Sequence, residues 1–458
     1  MASVDTNAAE DHIGEFMSRL FHTFEREGID YAVARDYESL PHSLNGRDLD
    51  ILVKDFDYER AYRALLGIAH GLSAVVLKVV QEADTFAWVL VIHCEPPMWG
   101  LHIDFLRPRC NNWRGCYFLD ETAAMARKVR SEGISTLRSD DIVFMQFCRD
   151  IVGRLCLREK YQGPAQRLYF ADPVRFEREL GAVFGRRHAA RLAAVCRDGE
   201  FSDVAPLGKR LRRALIVRNL LRTPVQTAKE LAVYLAWRCG EYLRPNGIVV
   251  AMLGSDHAMR GQLIAEVCRE LYRLTRSQPR VYRRSPGLLR GLSGEGCNRR
   301  EDGAAAAAPS AQLRGGSLLR LCRTASAALA WAFGYWLSVR PYLGRKCLTA
   351  IFDGYFDDAL TGCSQSRGVR ATCTARVLNI VVPKPEVIIS LAADPQAVNG
   401  RPPGRLSAEG GRQIEEGRNL AEQTEHAVWV NTSGSRERAV QDIVRATVGA
   451  LERRLGWQ

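Results

Sequence analysis

The stretch Ile248–Leu253 reads IVVAML, with no polar residue at any position, and closes on Gly254. A half-buried strand alternates polar and apolar residues, and an amphipathic helix repeats every three to four. An unbroken apolar run this short suits a strand covered on both faces, as in a parallel sheet. Parallel strands need long crossovers, usually helical, and helical spacing follows over residues 258–274. Further apolar runs come at 348–353 (LTAIFD), 386–392 (EVIISLA) and 427–432 (AVWVNT), before a closing helix over 436–455. This part of the chain is predicted to be a parallel sheet covered by helices.

The earlier part reads differently. Residues 8–28 place Ile13, Phe16, Met17, Leu20, Phe21 and Phe24 on one helix face. Strands are predicted at 31–35 and 48–53, and a helix at 55–69. Two β-rich runs, SAVVLKVVQ and TFAWVLVIHC, flank Glu82-Ala83-Asp84 as a hairpin, and LHIDFL (101–106) adds a strand. From 139 the pattern is helical, with Ser139 or Asp140 as candidate cap. The Arg-rich stretch 206–243 should break at Pro224. The expected fold is α/β and α+β multidomain: a mixed sheet over 1–135, a helical connector over 136–245, and a parallel sheet covered by helices over 246–458. Residues 279–316, rich in Gly, Arg, Ser and Ala, are expected to form a long, poorly ordered loop.

With 458 residues and a net charge of +12, the chain favours anionic partners such as nucleotides, nucleic acid or an acidic membrane surface. Its 64 basic residues include only eight lysines, a bias that a high-GC genome would also produce. No run of five or six basic residues marks a nucleic-acid tail. The thirteen cysteines form no C-x-x-C pair, which argues against a zinc site or a disulfide framework. The first residues lack a basic and apolar leader, and residues 324–339 fall short of the roughly 20 apolar residues of a membrane span. A cytoplasmic protein with no transmembrane segment is expected.

Two groups of residues carry chemistry. In NGRDLDILV, Asp48 and Asp50 lie two apart and so share one face of a strand, while Leu49, Ile51 and Val53 face a core. Paired carboxylates invite a divalent cation, and Gly46 leaves room for a phosphate-bearing ligand. In LHIDFL, His102 and Asp104 share a face. If the two strands are neighbours, Asp104 becomes the third carboxylate. His102 reads as a neighbour that orients the acids, or as a half-buried histidine. The G-x-D-x-D pattern followed by a later acid resembles the nucleotidyltransferase superfamily over roughly the first 130 residues. That resemblance implies Asp48, Asp50 and Asp104 as catalytic residues and ligands of Mg2+, with ATP or another nucleoside triphosphate as donor to an unknown hydroxyl. The Gly-Ser pair that grips triphosphate in that family has no match in ARDYESLPHSLNG.

The second group follows IVVAML. A working phosphate loop reads G-x-x-x-x-G-K-[ST]. With Gly254 first, its later glycine falls on Met259, its lysine on Arg260 and its hydroxyl on Gly261. The surroundings nonetheless resemble the bacterial thymidylate kinase-like proteins over most of 245–458. Gly254-Ser255-Asp256 matches the start of their loop. IFDGYFDD keeps Asp353 but has Gly354 for an arginine, and Ala392 replaces a strand-end aspartate. The resemblance implies Gly254, Asp256, Arg260 and Asp353 as nucleotide-binding positions in a P-loop kinase-like fold with a degenerate Walker A motif, beside Gly46 as the nucleotide-binding position ahead of the N-terminal acids. Losing one phosphate-stabilising cation can cost about 10³ in rate, so an impaired kinase site, a pseudokinase, is expected beside the N-terminal acids. Two alternatives stay open: an active thymidylate-type kinase using Arg260, and a non-catalytic scaffold whose Arg-rich helices, around Lys209 to Arg222, bind an acidic protein partner.

Overall fold

A computed structural model describes residues 2–44, 47–82, 86–114, 116–254, 257–283, 329, 331–343, 348–354, 383–392, 426–432 and 434–456. The chain divides into two compact units, Met1–Gly240 with Leu455–Gln458, and Glu241–Arg454.

The first unit opens with α1 (Ala2–Arg26), then β1 (Tyr31–Val33), β2 (Leu49–Val53), α2 (Tyr58–Gly71), β3 (Val75–Glu82), β4 (Phe86–His93) and β5 (Trp99–Leu106). A small hairpin of β6 (Asn112–Trp113) and β7 (Cys116–Tyr117) precedes α3 (Thr122–Ala126), β8 (Val129–Ser131) and β9 (Ile134–Thr136). Seven of these strands form a mixed sheet in the order β3-β4-β5-β2-β1-β9-β8. β2 runs parallel to β5 and antiparallel to β1, and β1 is parallel to β9. The β8–β9 pair was not anticipated from sequence. Three residues per strand leave too little alternation to read, and the pairing with β1 supplies what the local pattern lacks.

The alternation in β2 sets the layers. Leu49, Ile51 and Val53 join Phe16, Leu20 and Phe24 of α1, Leu65 of α2 and Ile103 and Phe105 of β5 in one core. Leu52 and Leu106 face the other side, against Met125, Ile142 and Met145. Asp50 shares the face of Leu52.

A helical layer follows: α4 (Ser139–Arg149), a π-helical turn (Asp150–Arg154), α5 (Glu159–Ala171), α6 (Pro173–Phe184), α7 (Arg186–Asp198), α8 (Val204–Arg222) and α9 (Pro224–Leu243). It has its own core, with Phe147, Ile151, Leu180, Leu192 and Leu211. The N-cap of α4 is Arg138, with no side-chain cap bond, rather than Ser139 or Asp140. The break expected at Pro224 falls at Thr223, between α8 and α9.

In the second unit β10 (Ile248–Leu253) is buried along nearly its whole length. It is followed by α10 (His257–Thr275), β11 (Arg280–Arg283), a π-helical turn (Tyr335–Val339) leading into α11 (Arg340–Leu343), β12 (Thr349–Asp353), β13 (Val387–Ala392), β14 (Ala427–Asn431) and α12 (Arg436–Leu455). Five strands form one parallel sheet in the order β11-β12-β10-β13-β14. The expected loop over 279–316 begins with a strand instead, because residues 280–283 pair with the edge of β12. The rest of that loop, from 284, lies outside the described residues. Tyr282 and Phe352 stack at 5.0 Å, over Trp331 and Tyr335.

Candidate functional site

The parallel register of β2 and β5 sets Asp50 directly opposite Asp104, with Leu49 opposite Ile103. Both acids therefore leave the sheet on the same face, the one that α4 covers. Asp48 lies one residue before β2, not within it, and is more exposed. His102, two residues before Asp104 on β5, links the group. Its Nδ1 lies 3.0 Å from Asp48 Oδ1 and its Nε2 2.9 Å from Asp104 Oδ1. The ring is wedged against Trp88 of β4, centroids 4.8 Å apart. Burial disfavours its charged form, but the bonds to Asp104 and Asp48 outweigh that and raise its pKa to about 9.

Asp50 is almost fully buried and takes a two-pronged bond from Arg35, which follows β1. Arg35 Nη2 donates at 2.9 Å to Oδ1, and Nε donates to Oδ2. Because β1 and β2 are antiparallel, with the Ala34 amide on the Asp50 carbonyl at 2.9 Å, the end of β1 must lie beside Asp50. Burial pushes the Asp50 carboxyl up to about 6, with Arg35 pulling it down and Asp104 pushing it up. Sequence reading missed Arg35. Its signal was present: the apolar run YAVA is followed directly by a cation, two residues beyond β1.

A cavity of about 20 Å³, room for roughly one water, adjoins Asp50 and Arg35. Asn111, Glu121, Gln146 and Arg149 complete its polar wall. Glu121 is buried and ties the loop after β5 by accepting from the amides of Arg109 and Asn111 and from Asn111 Nδ2. Burial raises its pKa despite those bonds. Behind the cavity, Arg158 donates to Asp150 at 2.8 Å and to Gln146 Oε1 at 2.8 Å, holding the end of α4 where the helix widens into its π turn.

Three carboxylates thus face two cations, Arg35 and His102. The donor chemistry, oxygen on three acids, suits magnesium. In the arrangement described, the acids are turned to Arg35 and His102, and no group of three or more His, Cys, Asp or Glu is set to hold a metal among the described residues. Asp48, Asp50 and Asp104 are the residues that would hold one.

The second unit brings together three of the positions that the kinase resemblance singled out. Asp353 ends β12 beside Met252 of β10. Arg260, on α10 and only 2% exposed, donates from Nε to Asp353 Oδ1 and from Nη1 to the Gly254 carbonyl at 2.6 Å. Gly254 closes against the neighbouring strand, and a Cβ there would meet the Leu391 carbonyl oxygen at 3.0 Å and Leu391 Cβ at 3.1 Å. Gly46 and Asp256 lie outside the described residues.

No protein-family model matches the chain, and no curated protein matches it. The geometry alone carries the functional argument. In the first unit it joins Asp48 to Asp104 through His102 and sets Asp50, held by Arg35, across from Asp104. In the second it spends Arg260 on Asp353 and on the loop backbone.

Proposed function

We propose that the first unit is a nucleotidyltransferase-like site that moves a nucleotidyl group from a nucleoside triphosphate to a hydroxyl, and that the second is a thymidylate kinase-like unit with an impaired kinase site. The observation that carries the reading is the register that sets Asp50 across from Asp104 on adjacent parallel strands, with Asp48 brought in through His102. Magnesium, when held by the three acids, would supply charge stabilisation to the triphosphate and acidify the attacking hydroxyl. The side chains of the chain do the rest. Arg35 holds Asp50 in one orientation by donating to both of its carboxylate oxygens. His102 spans Asp48 and Asp104 and sets their spacing. Buried Leu52, Leu106 and Met145 line the inner end of the site and leave room for about one water, so charge interactions there are weakly screened.

The kinase reading fares worse. A lysine in a phosphate loop must reach outward to the outer phosphates, whereas the Arg260 guanidinium is buried and turned to Asp353 and the Gly254 carbonyl.

The test is transfer of label from [α-³²P]nucleoside triphosphates with magnesium, comparing wild type with Asp104→Asn and Asp48→Asn. Label transfer should fall by about 100-fold or more in each variant, while circular dichroism stays native. Equal labelling in wild type and both variants would remove the proposal.

A further inference from the structure

The surface of α8 and α9 within the first unit is unlike the rest. α8 contains six basic residues and no acid between Val204 and Arg222. Its buried side is Leu207, Leu211 and Leu215. Its exposed side carries Lys209, Arg210 and Arg213 and then, at the same three- and four-residue spacing, Val217, Leu220 and Leu221. None of Lys209, Arg210, Arg213 and Arg222 has a carboxylate partner among the described residues. Two further cations on this helix, Arg212 and Arg218, are spent on backbone carbonyls. Positive charge also gathers at α7, where His188 is held below its usual pKa, first by burial and then by Arg191, Arg187 and Arg210.

The face continues past the break. Thr223 and Thr227 donate to the carbonyls four residues earlier, so the helical path is kept. Val217, Leu221 and Val225 then fall in one line at 55%, 80% and 82% exposure. Along α9 only Thr227 is buried, and among its exposed positions Lys229 alone is charged. Leu231 and Leu235, four residues apart, continue the face in the open, flanked by exposed Ala228 and Ala232, while Val233 is exposed on the opposite side of the helix. A contiguous aliphatic face of this length is rarely left in water.

We propose that this face binds the surface of an anionic lipid bilayer, with the α8 cations on the headgroup phosphates and the aliphatic side chains of α8 and α9 entering the interface. Charge complementarity selects that occupant. A second copy packed on the same face by two-fold symmetry would set the α8 cations against α8 or α9, whose exposed positions carry no acid. A nucleic-acid backbone would satisfy the cations but leave Leu221, Val225, Leu231 and Leu235 covering nothing apolar. Cations beside a broad aliphatic stripe are the pattern of a helix that lies in the membrane interface. The binding is on the surface, since no helix among the described residues is long and apolar enough to cross a membrane.

The full-length protein should co-sediment with phosphatidylcholine vesicles containing phosphatidylglycerol and not with phosphatidylcholine alone, and added salt should release it. Arg210→Gln/Arg213→Gln and Leu221→Gln/Val225→Gln should each weaken partitioning by about tenfold or more, with melting temperature unchanged because all four side chains are solvent-facing. No partitioning into anionic vesicles at low salt overturns the proposal. So does partitioning that ignores either pair, tighter binding to single- or double-stranded DNA that ignores the aliphatic pair, or a dimer that the aliphatic pair converts to monomer without any vesicle binding.

Discussion

Each ring nitrogen of His102 meets a carboxylate, Asp48 on one side and Asp104 on the other, and a protonated ring donates to both. Its pKa is raised from an ordinary 6.5 to about 9, so its contribution to stability is complete below about pH 6.5 and disappears as pH rises through about 9. Without added metal, the stability difference between wild type and His102→Asn should be flat below pH 6.5, on the order of a few kcal/mol, and shrink steadily toward pH 9.5. Urea unfolding at a series of pH values measures it, and a difference that grows with pH would contradict the assignment. The sequence made the neighbourhood of these residues legible, since the two-residue spacings of Asp48/Asp50 and His102/Asp104 fix which face each uses. It did not make the pairing legible. That Asp50 answers to Arg35, and Asp48 to His102, depends on strand order, which no local spacing encodes.

Among the elements, β10 was the most readable, because an apolar run without alternation has few ways to be satisfied except burial on both faces. β11 was the least. Its four residues sit inside a stretch whose composition reads as loop, and only the backbone of β12 makes them a strand. The turn after β10 also has a plain structural reason for its glycine. The closeness of Leu391 predicts that Gly254→Ala destabilises the second unit by about 1–3 kcal/mol, read as a shift in its unfolding midpoint at unchanged slope. The buried ion pair on α10 makes a second prediction. Arg260→Met should cost about 3 kcal/mol by leaving Asp353 without its cation, and Arg260→Met/Asp353→Asn should recover part of that loss. A double-mutant cycle on unfolding free energies tests it, and strict additivity would mean that the pair contributes nothing.

On the scale of the molecule, two units carry two different sheets, one mixed and one all parallel. In the first, the acids lie in register across adjacent strands. In the second, Arg260 is used internally, on Asp353 and the Gly254 carbonyl. The arginine excess that colours the whole composition resolves into separate uses: Arg35 on Asp50, Arg158 on Asp150, Arg260 on Asp353, and Arg210, Arg213 and Arg222 of α8 with no carboxylate partner among the described residues. The sequence showed the excess but not this division, because partners come from distant residues, 93 positions away for Arg260 and Asp353 and 170 for Arg436 and Glu266. If the proposed division of labour holds, triphosphate binding belongs to the first unit. Calorimetric titration of ATP in magnesium into the full-length protein, Asp48→Asn/Asp104→Asn and Arg260→Met tests this most directly. The account predicts binding by wild type and Arg260→Met and its loss in the acid variant. Binding that survives in the acid variant and vanishes in Arg260→Met would contradict it.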